Sequence, residues 1–395
     1  MSRHDPLYDW TDEVATQFPH LSKPQAAVLA LWSFGIVLAR SCTLPAVANI
    51  LSPLIGRCYN TLRQRLREWY KAAPEKSGAD RRELDVTTCF APLLAWILKN
   101  WPCPRVALAL DATSLADRLT VLSLSLVYRG TAIPIAWKVL QGNRPHSWKP
   151  EWLKLLRWFA DQVDPTWTVT VMTDRGLYAR WLFQEIVALG WHPMMRVTRL
   201  GKFRPEGWNR PQSFWQFVPR VGCTWQGRGV AFPRKPERRL ACTLLACWAE
   251  GHEDGWYLLT DLPPQAAAAA WYALRMWIEH GFEQFKSAGW QWQKTRITEP
   301  DRAGRMWLAI ALATFWVVAV GGQRDHDEGP QETVPHLPAT DVHQRGPESL
   351  GGNRLVSVFC QGIAVILALL IKGQLALPEK WYPEPWPGIE TIVQE

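Results

Sequence analysis

No apolar run in this 395-residue chain is long enough to cross a bilayer. The two longest, residues 306–320 and 362–371, fall short of the roughly 20 residues that a helical span needs, and they read as buried helices. A membrane partner is therefore not expected. Cysteine is sparse, with eight residues scattered along the chain. Only Cys242, Cys247 and His252 lie near one another, and no fourth ligand follows at a zinc spacing, which argues against a structural zinc site. No G-x-S-x-G or other nucleophile motif is present, so covalent catalysis through serine or cysteine has no carrier. Residues 1–20 are polar and mixed in charge, unlike a secretory signal, so the expectation is a cytoplasmic protein without disulfides.

Tryptophan is abundant instead. The 25 Trp residues supply core volume and, at the surface, flat faces on which bases can stack. Lys and Arg number 44 against 36 Asp and Glu, giving a net charge of +8. That balance permits a nucleic-acid partner without requiring one. The length implies two or three structural units.

The first 84 residues read as helical: residues 23–40, 43–54 and 59–71, punctuated by Pro53 and Gly56. The last of these carries Arg63, Arg65 and Arg67. Residues 43–71 thus fit a helix-turn-helix, with Arg63 and Arg67 set to meet DNA, and fit equally a plain helical bundle with a basic face. Residues 74–82 read as a hydrophilic linker, and 86–101 as another apolar helix. Strand patterns follow at 106–110, 119–128, 131–140, 168–172 and 192–198, with a turn at Arg129-Gly130 and helices at 148–163 and 177–189. Residues 201–262, rich in Gly, Pro, Trp and Arg, break this pattern. They read as an inserted β subdomain with strands at 214–218, 229–232, 240–246 and 256–260. Its cations Arg228, Arg234, Lys235, Arg238 and Arg239 fit a DNA path or an ordinary charged loop. After a helix at 272–286 come an apolar helix at 302–320, a polar linker at 321–353 and a final apolar helix at 355–375. That last helix needs a partner, either the main body or a second subunit. The expected domains are 1–84, a core in two parts at 85–200 and 263–322, the insertion at 201–262, and a C-terminal region at 323–395.

Three acidic positions stand out. Asp111 directly follows the buried run VALAL, and Asp174 follows VTVMT. A carboxylate at the end of a buried strand sits on rigid backbone at a sheet edge. The third is on the helix at 272–286, YALRMWIEHGFEQFK, where Tyr272, Arg275, Glu279 and Lys286 share one face at about 100° per residue. Alone, Arg275 and Glu279 are an ordinary i,i+4 pair on a solvated helix. Asp111 alone is a strand-end turn residue, and Asp174 alone a helix N-cap. Together, acids from two strands and a helix can share two metal ions for displacement at phosphorus. Glu283 lies on nearly the same face as Glu279 and is the competing third acid.

The spacing Y-x2-R-x3-E-x6-K resembles the signature of bacterial insertion-sequence transposases of the Asp-Asp-Glu type, in the insertion-sequence-four family. The segments ALDATS, TDRGLY, WYLLTDL and TEPDRAGRMW resemble that family too, so the likeness runs from about residue 106 to 320. It implies an α/β fold: a ribonuclease-H-like core interrupted by a β-rich insertion, with helical N-terminal and C-terminal regions. It implies that Asp111, Asp174 and Glu279 bind two Mg2+ ions, with Mn2+ able to substitute. Tyr272, Arg275 and Lys286 would hold DNA phosphates, and Trp256 would stack on a flipped base; its bland alternative is a buried Trp of the insertion. The implied activity is cut-and-paste transposition at terminal inverted repeats by a homodimer on double-stranded DNA, near the bacterial nucleoid. The competing reading is a non-catalytic relative that binds specific DNA.

Overall fold

The computed structural model describes residues 5–77, 82–142, 147–327, 356–384 and 386. Five helices precede the sheet: α1 (Asp5–Gln17), α2 (Lys23–Ala39), α3 (Leu44–Ile55), α4 (Tyr59–Trp69) and α5 (Phe90–Leu98). α3 ends at Gly56, whose φ of 61° is the left-handed cap that releases the chain into α4. α4 buries Leu62, Leu66 and Trp69, and the Trp32 indole of α2 donates to the Leu66 carbonyl. Of its two singled-out cations, Arg63 is half-buried and Arg67 exposed. In the expected linker at 74–82, residues 73–75 form a single 3-10 turn, and 78–81 lie outside the described residues.

The sheet starts as an antiparallel meander of β1 (Arg105–Leu115), β2 (Leu119–Tyr128) and β3 (Thr131–Gln141). The β2–β3 turn is Arg129-Gly130, with φ of 42° and 84°, the conformation that a two-residue hairpin favours. β1 runs four residues past Asp111, because residues 112–115 pair with residues 119–122 of β2. Asp111 is therefore not at the end of its strand. The expected break there fails because hairpin pairing carries a polar strand end further than its apolar run.

β4 (Thr168–Thr173) and β5 (His192–Arg196) add parallel to β1. Between the strands run helices α6 (Lys149–Ala160) and α7 (Arg180–Ala188). α7 starts later than the pattern predicts. Asp174 Oδ1 accepts from the Leu177 N–H at 2.8 Å and closes a turn before the helix begins.

Residues 201–262 extend the same sheet. β6 (Lys202–Pro205), β7 (Gln212–Ser213), β8 (Thr224–Ala231), β9 (Leu240–Cys247) and β10 (Trp256–Thr260) continue it, giving the order β3-β2-β1-β4-β5-β10-β9-β8-β6-β7. The join is antiparallel, with Leu258 of β10 opposite Arg196 of β5. The expected strand at 214–218 is instead a 3-10 turn at Phe214–Gln216. The Gln216 side chain accepts from the Ser213 N–H, and the buried Phe214 ring packs on Tyr257 and Phe232.

The expected single helix at 272–286 is two pieces. Ala269–Arg275 is a 3-10 segment, and α8 (Met276–Phe285) follows. The helix-forming alanines before it do not form a helix either: Ala267 and Ala268 are extended, with φ of −144° and −120°. Docking of the buried Trp271 and Tyr272 overrides propensity here.

α9 (Pro300–Asp327) is longer than expected and absorbs the first part of the proposed linker; residues 328–353 lie outside the described residues. It is long and apolar enough to span a bilayer, but its apolar stretch is wholly buried against the rest of the chain. α10 (Val358–Ile371) packs across it in the same chain. The two backbones nearly touch: a Cβ on Gly321 would sit 1.9 Å from the Val358 carbonyl, and one on Gly362 1.9 Å from that of Val317.

Candidate active site

The parallel register sets Leu110 beside Thr173 and Thr173 beside Met195. The next residues along the three strands, Asp111, Asp174 and Arg196, therefore fall in one row, where β4 ends and β1 continues only with β2. The 3-10 segment and α8 approach this row, since the Tyr272 hydroxyl donates to the Thr173 carbonyl at 3.1 Å. That bond fixes the entry of the helix against the end of β4.

Arg275 lies at the centre. Its Nη2 donates to Asp111 Oδ2 at 2.6 Å and its Nη1 to Glu279 Oε1 at 2.5 Å. Nη2 also stands 4.0 Å from Asp174 Oδ2. One guanidinium thus meets all three acids singled out from the sequence. Its side chain is 7% exposed, while Glu279 is 46% and Asp174 38% exposed. The site is a buried cation under two solvent-facing acids. Burial opposes the charge on Arg275, but Asp111 and Glu279 raise its pKa all the same. Burial pushes Asp111 up to about 6, with Glu279 and Asp174 adding to the rise and Arg275 opposing it.

The remaining singled-out residues divide. Glu279 is the acid tied through Arg275 to Asp111; Glu283, one turn on, is exposed and is not among the acids that Arg275 meets. Trp256 stands edge-on to Tyr272 with ring centres 5.4 Å apart, and is half-buried. Tyr272 is 2% exposed, and burial raises its pKa. Its hydroxyl is directed into the protein, so it does not share an exposed face with Lys286. Lys286 itself is the C-cap just past the end of α8, about 10 Å along the axis from Glu279. The shared helical face drawn through Tyr272, Arg275, Glu279 and Lys286 therefore fails, because half of it is 3-10 and the last member lies past the helix end.

Arg196 was missed. It ends β5 as the two aspartates end their runs, and its charge reaches Tyr272. A search for polar residues at every strand end, cations included, would have found it.

As to metals, the three carboxylates form an all-oxygen donor set of the kind that hard divalent cations take. They are arranged around one guanidinium, which reaches all of them. With Arg275 between them, no three acidic, His or Cys side chains among the described residues are gathered tightly enough to hold an ion.

No curated protein matches the chain. Among solved structures, a cryo-EM structure of the piggyBac transposase synaptic complex with hairpin DNA aligns with 79% of this chain and 72% of its own, at 12% identity and a TM-score of 0.42. One family model matches residues 123–316, just under half the chain, so that it takes in Asp174, Arg275 and Glu279 and begins beyond Asp111. Its description, transposase DDE domain, supports a DDE transposase, the family to which this stretch is similar.

Proposed function

We propose that the chain is a cut-and-paste DNA transposase that cleaves double-stranded DNA at the terminal inverted repeats of an insertion sequence and joins the freed 3′ ends to target DNA. The observation that carries this reading is the convergence of Asp111, Asp174 and Glu279 on Arg275, from sites far apart in sequence. The family match over residues 123–316 supports it. The strand order β3-β2-β1-β4-β5, with Asp111 and Asp174 just past the last parallel pair of β1 and β4 and Glu279 on a later helix, supports a ribonuclease-H-like core.

Asp111, Asp174 and Glu279 would hold two Mg2+ ions, for which Mn2+ substitutes. The chemistry supplied at these acids by bound ions would be activation of a water or 3′ hydroxyl and stabilisation of the leaving oxygen at phosphorus. The chain's own residues set the geometry. The Tyr272 hydroxyl pins the 3-10 segment to the end of β4, beside which Arg275 bridges Glu279 and Asp111. Trp256 offers its face beside Tyr272 for a base taken out of the stack, and Arg196 and Lys286 offer charge to phosphates. Residues 43–71, with Arg63 and Arg67, would read the repeats, and a homodimer would bridge two ends in the bacterial cytoplasm.

The test is a plasmid carrying the DNA that flanks the gene on both sides, incubated with the full chain and Mg2+. Cleavage at the element ends is expected for wild type and Glu283→Ala, and is expected to be lost in Asp111→Ala and Glu279→Ala. Binding without cleavage at any divalent ion tried would sink the catalytic reading and leave a DNA-binding relative.

A further inference from the structure

Arg275 does something that a phosphate-gripping cation at the surface would not do. It is buried, and among the described residues its side-chain partners are the three carboxylates. Its Nε–H is buried and has no hydrogen-bond partner among the described residues. Arg305 provides the contrast: equally buried, it bonds through Nε and both Nη groups to the Leu84 and Tyr70 carbonyls and to Glu83. Arg305 is built into the fold, whereas Arg275 is bound to the acids alone and is incompletely satisfied.

A buried charge must be paired, and three neighbouring carboxylates must be neutralised. One guanidinium meets both needs at once. It also takes the oxygens that a divalent cation would need. Asp111 Oδ2 and Glu279 Oε1 each face a guanidinium nitrogen at hydrogen-bonding distance. An ion ligated by those same oxygens would bring two positive charges against a buried third.

We propose that Arg275 is the resident counter-cation of the three carboxylates, and that a divalent ion enters only as Arg275 swings out from between them. The proposal rests on the metal-site reading given above. Arg275 is thus a positioning residue in the resting protein: it keeps three mutually repelling acids in place and sets a threshold on metal loading. Met276, exposed at the first position of α8, and the change from 3-10 to α at Arg275 place the side chain at a joint rather than inside a regular helix. Once withdrawn, the guanidinium is free to meet a DNA phosphate, so substrate and metal would favour the same rearrangement.

The experiment titrates Mn2+ calorimetrically into the full chain as wild type, Arg275→Gln, Arg275→Lys and Asp111→Asn, with melting followed in parallel. Removing charge-assisted bonds that compete with the ion should tighten Mn2+ binding by about tenfold to a hundredfold in Arg275→Gln. Arg275→Lys, which cannot fork between two acids, should fall between it and wild type. The metal-free Arg275→Gln protein should melt lower than wild type and gain more from added Mn2+. A merely structural arginine would give the opposite result, a lower melting point together with weaker Mn2+ binding. Equal or weaker binding in folded Arg275→Gln would overturn the proposal, and should that variant not fold, Arg275→Lys decides by the same criterion. Wild-type binding that Asp111→Asn abolishes, with no gain in either Arg275 variant, sinks the counter-cation alone. Absence of Mn2+ binding in every protein sinks the metal site and the proposal with it.

Discussion

Two buried arginines mark two kinds of region in this molecule. Around Arg305, at the start of α9, the guanidinium is enclosed by main-chain carbonyls of residues 70 and 84 and by Glu83. It ties the N-terminal helices to the core mainly through main-chain acceptors. Around Arg275, at the start of α8, the acceptors are side-chain carboxylates, two of them open to solvent. Burial lowers the pKa of Arg305; at Arg275 burial acts in the same sense, but the acids outweigh it and the pKa is raised. Equal burial therefore serves a fixed joint in one place and an exchangeable charge in the other. What separates them is the chemistry of the partners, not the depth of the side chain.

Four further changes would break or sharpen this contrast. The largest effect belongs to the acids: Asp111→Ala or Glu279→Ala should lower end cleavage by about a hundredfold or more while DNA binding by gel shift persists. Retention of cleavage in either would remove that acid from the site. Next, Arg305→Ala should cost about 3 kcal/mol of stability by leaving two buried carbonyls unsatisfied, read as a drop in the urea midpoint. Its cleavage per folded molecule should stay near wild type; a selective loss of activity would make Arg305 part of the site after all.

The third change is in pH. In metal-free buffer Asp111 takes up its proton near 6 in the folded protein, against 3.8 for an ordinary Asp. The folded state thus holds a proton that the unfolded chain has already released. Stability should fall as pH rises from about 4 through about 6, by on the order of 2–3 kcal/mol, and then level off. Asp111→Asn should flatten that slope, and an unchanged slope would show that other groups produce it. The smallest effect is expected at Glu283→Ala, exposed and outside the cluster, which should shift stability by no more than about 0.5 kcal/mol and leave cleavage unchanged. Loss of cleavage there would move the third acid one turn along α8.

The strands β2 to β5 were readable with near-correct limits because each is a short apolar run closed by turn residues, and β2 runs over residues 119–128 as expected, whereas β1 runs five residues past its expected end. Asp111, Asp174 and Glu279 were readable as a set because Asp111 and Asp174 each follow an apolar run and Glu279 lies in the spaced motif; that β1 continues past Asp111 and that the motif is part 3-10 was not readable. The 3-10 segment before α8 was not readable, since the alanines there favour an α-helix and only the docking of Trp271 and Tyr272 forbids it. The strands of 201–262 were mostly found, but their continuity with the core sheet was not. Joining β10 to β5 is a pairing between distant segments, which local pattern does not encode.

By itself, then, the amino-acid sequence determined most of the element types and the positions of the three acids and the cations near them, because periodicity, turn chemistry and motif spacing are local properties. Only the tertiary structure decided which partner each charge meets. It put Arg275 among the acids rather than at the surface, turned the Tyr272 hydroxyl inward, and paired Arg275 with Glu279 rather than with Glu283. The reason is physical: burial makes an unpaired charge costly, and which opposite charge lies within reach is settled by packing between elements far apart in the chain.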